Sequence, residues 1–281
     1  MSDLLTALQS GSPVIAAELR PPRAELAITE GMDAWIDTYH AVKRLTERGT
    51  YVFLTDSAVG AQEEDNLRHL VTNLGTDVKR ERIVPFLTSK HSLEYCESYA
   101  DRAQQHGFPS LVVLGGDKAV GAPRVVEHAW QLRQYLRARA PRLTLGGWAN
   151  PHGNAAHQLD FLTDPHFNAE YFLTQVVSHH DAAAVERFVT EATRRNLPLP
   201  GMFGVFYYRS ANPRTLSALQ GFLPVPAEGL TRDFAAGLTA DDVCARTLRT
   251  LRSAGARHFY ISNLPIGRAS AVLARVLALS A

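Results

Sequence analysis

The stretch "VIAAELRPPR" sets one carboxylate, Glu18, at the end of an apolar run, with Pro21 and Pro22 close behind it. A carboxyl shielded in this way has a raised pKa, which suits it to donating a proton. The prolines fix the backbone just beyond it. A salt bridge to Arg20 or Arg23 is the structural alternative. A second apolar run, "LVVLGGD", ends in Gly115, Gly116 and Asp117. Two glycines let a flat group approach the backbone. An aspartate N-cap on a following helix explains the same pattern as well. In "YFLTQVV" the amide of Gln175 interrupts an apolar strand. It can donate and accept together, which fits either the edge of a heterocycle or a structural bond inside the protein.

Other apolar runs also end in polar groups: Thr55 and Asp56, Thr88, Asn150 and His152, Tyr207 and Tyr208, and Asn263. Asp56 and Thr88 could simply cap the helices that follow. Polar ends converging from many strands favour a small-molecule site. Other chemistries find no support. Neither HExxH nor any other ligand spacing occurs, so no metal site is expected. His179 and His180, as neighbours on a strand, would point to opposite faces and could not both chelate. There is no GxSxG motif and no phosphate-cradling glycine loop. Cys96 and Cys244 lie far from any CxxC and read as buried thiols.

The elements that must position these groups alternate. Strands are expected at residues 14–19, 51–56, 83–88, 110–116, 143–149, 171–177, 201–207 and 258–263. Helical patterns fill 30–48, 63–74, 91–106, 122–139, 181–196, 239–253 and 267–279. Within 91–106, Leu93, Cys96, Tyr99, Ala100 and Ala103 mark one face. Eight strands alternating with helices predict an α/β protein, a (β/α)8 TIM barrel forming one domain over residues 1–281. An open doubly wound sheet fits less well, because no GxGxxG follows the first strand. In such a barrel the strand C-termini carry the site. Residues 220–238 read as a long irregular loop, of the kind that forms lids.

The 29 Lys+Arg nearly balance the 28 Asp+Glu, and no basic stripe appears, so nucleic acid is not an expected partner. Apolar runs are strand-length, which argues against a membrane span. The N-terminus lacks a charged n-region and an apolar h-region, so a cytoplasmic location is expected.

Five stretches in order ("ELRPPR", "LGGD", "YFLTQVV", "PGMFGVFYY" and "HFYISN") resemble the methylenetetrahydrofolate reductase family over most of the chain. The resemblance implies reduction of 5,10-methylenetetrahydrofolate to 5-methyltetrahydrofolate by NADH or NADPH. It makes Glu18 the general acid and Asp117 the carboxylate that holds the pterin and steadies positive charge. Gln175 would bind folate or nicotinamide, and Tyr208, or its neighbour Phe206 or Tyr207, would stack on the substrate. Asn263 and Arg268 would lie toward the folate, and Thr55, Thr88, Gly115, Trp148 and His152 on the cofactor side.

The family normally holds a flavin, and here its cradle is altered. The motif arginine is Gly115, a histidine is Phe86 and the expected lysine falls at Asp164. On the folate side, the C-terminal arginine expected to touch the folate tail is Leu264, with Arg268 one turn later as a substitute. The resemblance is thus to a flavin-independent branch, with no bound FAD and direct hydride transfer. Two alternatives stand beside it: a flavin enzyme with relocated contacts, to which Lys90 or Lys118 could contribute, and a folate-binding barrel without catalysis.

Overall fold

The computed structural model describes residues 2–22, 26, 28–56, 75, 77–119 and 121–281. Eight strands close into a parallel barrel in chain order. They are β1 (Ile15–Leu19), β2 (Tyr51–Leu54), β3 (Ile83–Thr88), β4 (Ser110–Leu114), β5 (Thr144–Ala149), β6 (Tyr171–Val177), β7 (Gly201–Phe206) and β8 (His258–Ser262). The described residues also form α1 (Asp3–Gln9), α2 (Ile28–Glu47), α3 (Leu93–Gln105), α4 (Ala129–Arg139) and α5 (Ala155–Thr163). The later helices are α6 (Ala182–Arg194), α7 (Pro213–Gln220), α8 (Ala227–Ala235), α9 (Ala240–Ser253) and α10 (Ala269–Leu279). The chain is therefore a (β/α)8 barrel, as its strand–helix alternation predicts. No helix among the described residues is long and apolar enough to cross a membrane.

Strand alternation splits the core in two. Ala17, Leu19, Val52, Leu54, Leu111, Val113, Val205 and Ile261 point outward into the layer shared with the helices. Ala16, Phe53, Val84, Phe86, Val112, Leu173, Met202 and Tyr260 point inward and fill the barrel. Leu4, Leu5 and Leu8 of α1 join this inner cluster together with Val14 and Tyr51, closing the barrel at its N-terminal end. There Ser2 N donates to Thr144 Oγ1 at 3.2 Å, and Val14 N donates to His258 Nδ1 at 3.1 Å. Burial pushes the His258 imidazole down to about 4.

Several boundaries differ from expectation. The α4 helix starts only at Ala129, after Gly121 and Pro123, where Gln131 Oε1 accepts from His128 N at 2.9 Å. The strands at 51–56, 110–116 and 258–263 stop one or two residues early. Residues 220–238 are not an irregular loop, since α8 lies inside them. The Asn212–Pro213 start of α7 is a helix N-terminus signal of the usual type, with Asn212 Oδ1 accepting from Thr215 N at 3.2 Å. The helix expected at 63–74 falls outside the described residues. In α3, Cys96, Tyr99, Ala100 and Ala103 are buried as the spacing predicts, while Leu93 is only partly buried. Both cysteines are buried and free.

Close packing inside the barrel depends on one small residue in β7. A Cβ on Gly204 would stand 2.4 Å from the Tyr260 hydroxyl, which donates to Thr174 O at 2.5 Å. Gly204→Ala should destabilise the fold by about 1–3 kcal/mol, the usual cost of overpacking, read as a lowered urea midpoint. An unchanged midpoint would contradict this packing.

Candidate functional site

Glu18 lies on the inward face of β1, two residues past Ala16 and level with Phe53 of β2. Its Oε1 accepts a 2.5 Å hydrogen bond from Ser262 Oγ at the end of β8. Among the described residues it has no cationic partner: Arg20 is exposed, and Arg23 lies outside them. Burial pushes the carboxyl up to about 6, and the Ser262 bond only partly opposes this. In the inner cluster, Phe53 stands 5.9 Å from Tyr260 and 5.8 Å from Phe86 between ring centres. Burial, and secondarily the nearness of Glu18, push the Tyr260 phenol above its usual range.

The end of β6 is irregular. Leu173 pairs with Met202 and Val176 with Gly204, so β6 holds one more residue than β7 over this interval. In this bulge Thr174 Oγ1 accepts from Gly204 N at 3.1 Å. Gln175 Oε1 accepts from Val176 N at 2.9 Å, so its amide NH2, which has no partner among the described residues, remains to donate.

Asp117 follows β4 and is partly exposed. Its Oδ1 accepts from Ala119 N at 2.8 Å, forming a local turn; it does not cap the next helix, which begins twelve residues later at Ala129. Gly116 beside it has φ +71°, a conformation that glycine adopts without strain. At Gly115 a Cβ would stand 2.8 Å from the guanidinium carbon of Arg124. Arg124 donates to Gly116 O and, at 3.3 Å, to Glu127 O, and its buried Nε has no partner among the described residues. The Arg124 guanidinium therefore lies over Gly115. Lys90 is buried and donates to Ala122 O at 2.6 Å in the same loop.

Other expected site residues are occupied structurally. His152 Nε2 donates to Val176 O at 2.8 Å, tying β5 to β6. Asn263, at φ +65°, donates to Tyr207 O at 3.0 Å. Thr55 N donates to Leu19 O at 3.1 Å. Thr88 is buried, and its N donates at 2.7 Å to Asp56, which also pairs with His91 at 2.8 Å. Asp56 thus bonds to the end of β3, and the N-cap of α3 is Ser92 rather than Thr88. Tyr208 is 5% exposed, packed with Leu216, Leu230 and Val243, and Tyr207 donates outward to Asp241 at 2.6 Å. Of the three aromatic candidates only Phe206, level with Ser262, keeps a partly exposed ring. Trp148 is partly buried on β5, level with Leu173, and Arg268 is exposed beyond β8.

Sequence reasoning passed over Ser262 and Arg124. Period-two alternation from Tyr260 would have put Ser262 on the inner face beside Glu18, whereas nothing in the sequence signals the reach of Arg124. The reading of His179 and His180 is corrected. They lie in a short turn past the end of β6, not on the strand, and both reach Asp233.

No family model matches the chain, and no curated protein matches it. Among solved structures, an uncharacterized protein from Clostridium thermocellum has a similar fold, with a TM-score of 0.67 at 17% identity over 98% of this chain and 96% of that one. The likeness is one of fold. That protein is described as binding two copies of 5-methyl-5,6,7,8-tetrahydrofolic acid.

The site makes a prediction that is independent of any substrate. The Glu18 pKa of about 6 in the folded protein lies above its ordinary 4.5. Its contribution to stability is therefore full below about pH 4.5 and is lost as pH rises through 6, by about 2 kcal/mol in all. Glu18→Gln removes this dependence. In urea unfolding, the stability of the variant relative to wild type should rise by about that amount between pH 4.5 and pH 8. A difference that stays flat with pH would mean that the carboxyl is not desolvated.

Proposed function

We propose that this barrel reduces 5,10-methylenetetrahydrofolate to 5-methyltetrahydrofolate, taking hydride directly from NADH or NADPH without a bound flavin. The observation that carries the reading is the Glu18 carboxyl, shielded at the barrel mouth, bonded to Ser262 and raised to about 6. A carboxyl with that pKa keeps a useful protonated fraction near neutral pH and is a competent acid. The five ordered family stretches and the folate-binding description of a similar barrel support the substrate class.

In the proposed reaction the bond between the bridging methylene and N10 breaks, and Glu18 gives its proton to N10. The bridging carbon remains on N5 as an iminium ion. Hydride from nicotinamide C4 reduces that carbon to the N5-methyl group, and NAD(P)+ leaves. Asp117 has a carboxylate oxygen without a partner among the described residues, which would steady the cation. The Gln175 amide NH2 would donate to a ring edge, and the Phe206 ring would supply a stacking face. Holding both substrates together supplies much of the rate.

The flavin-dependent alternative is favoured by Arg124, whose guanidinium could meet a pyrophosphate in place of the missing arginine. At the two other altered positions nothing comparable is regained. Asp164 accepts from its own neighbour His166, at 2.7 Å from the backbone, and these bonds hold it ionised. Phe86 is buried in the inner cluster. A nicotinamide dinucleotide also carries a pyrophosphate, so Arg124 serves either reading.

The test uses NADH carrying deuterium at C4 with methylenetetrahydrofolate and protein purified without added cofactor. Direct transfer leaves the deuterium in the N5-methyl group undiluted. Loss of label to water, or activity only with added flavin, would overturn the direct reading, and no methyl product at all would overturn the enzyme. Glu18→Gln should lower turnover by about 10²–10⁴ with affinity largely kept. Asp117→Asn should lower turnover more than affinity, because it acts on charge that develops during reaction. Unchanged kinetics in Asp117→Asn would reduce that residue to its turn bond with Ala119.

A further inference from the structure

Beyond the end of β6, away from the Glu18 layer, three side chains converge on one point. His179 Nε2 stands 2.8 Å and His180 Nε2 2.9 Å from the same oxygen, Asp233 Oδ2. The three atoms lie within 4.8 Å of one another. We propose that His179, His180 and Asp233 form a binding site for a divalent transition metal of the zinc, cobalt or nickel type.

Hydrogen-bond accounting around the cluster supports this. Thr247 Oγ1 lies 3.0 Å from Val243 O, one turn back in α9, and 2.9 Å from His179 Nδ1. With its single hydrogen directed to Val243 O, it accepts from His179 Nδ1. In the neutral ring this leaves His179 Nε2 as a lone pair facing a carboxylate oxygen. A cation between them turns that repulsion into two ligand bonds. Thr247 then plays the part usual for the outer partner of a metal-bound histidine, fixing its tautomer and its direction.

The carboxylate is arranged in the same sense. Arg246 Nη1 donates to Asp233 Oδ1 at 2.9 Å, which leaves Oδ2 as the oxygen that faces the histidines. Asp233 is buried, so its direction is fixed by packing. Ligands about 2.1 Å from a tetrahedral zinc stand about 3.4 Å apart. The observed separations of 2.8 and 2.9 Å are hydrogen-bond distances, so the atoms part by about half an ångström to admit a metal. Two imidazoles select a borderline transition metal over calcium or magnesium, and three protein ligands leave positions for water. The α8 helix can approach closely because residue 229 is glycine: a Cβ there would stand 2.5 Å from the His180 ring. A metal at this point would tie the turn after β6 to α8.

The experiment titrates chelator-treated full-length protein with zinc chloride by calorimetry and with cobalt chloride by visible absorbance. One equivalent should bind, with zinc raising the melting temperature. His180→Ala, which alters a partly exposed ring, should weaken that binding at least about 100-fold, and Thr247→Val about 10–100-fold. X-ray absorption of the zinc-loaded wild-type protein should show two imidazole ligands, a readout that does not depend on any variant folding. Absence of saturable one-equivalent binding, equal binding by folded His180→Ala, or a zinc shell without paired imidazoles would overturn the site.

Discussion

The arrangement at the barrel mouth depends on one unfavourable burial: a carboxyl withdrawn from water with a hydroxyl for a partner and no cationic partner among the described residues. An ionised carboxylate in such surroundings is costly, so the site favours the protonated form. A lysine or arginine in the place of Ser262 would reverse this, holding Glu18 as an anion that could not deliver a proton. Phe53, Phe86 and Tyr260 belong to the apolar cluster that fills the barrel interior, and α1 packs into the same cluster at the other end.

The polar groups at the C-terminal ends of the strands divide into those engaged in holding strands together and those that keep a group without a partner among the described residues. His152, Asn263 and the Asp56–Thr88 pair join neighbouring strand ends, which keeps the mouth rigid. Gln175 and Asp117 each satisfy one local bond and retain one group free of partners among the described residues. This division is what a preorganised site requires, because a ligand then meets donors and acceptors already fixed in direction. The bulge in β6, with Thr174 bonded to Gly204 and Tyr260, sets the position of Gln175 within that rim.

The barrel was legible because its signal is periodic: eight short apolar runs separated by amphipathic segments. Glu18 was legible because a carboxylate is conspicuous in an apolar strand. Ser262 was not, since a serine at a strand end is unremarkable until closure of the barrel brings β8 beside β1. Arg124 was hidden for a related reason. Its guanidinium returns over Gly115 from nine positions away, a contact set by loop geometry and not by spacing. His179 and His180 were misjudged because strand alternation was extended past Val177, where the chain has already turned. The α8 helix was missed because its flanking prolines and glycines outweighed its amphipathic pattern.

The account turns on whether the Glu18 pKa is raised enough to keep a protonated fraction near neutral pH. Infrared difference spectra between wild type and Glu18→Gln, recorded across pH, isolate the carbonyl stretch of this one protonated carboxyl. The account predicts a band that disappears with a midpoint at about 6. A midpoint at the ordinary carboxylate value, or no protonated band above pH 5, would contradict it.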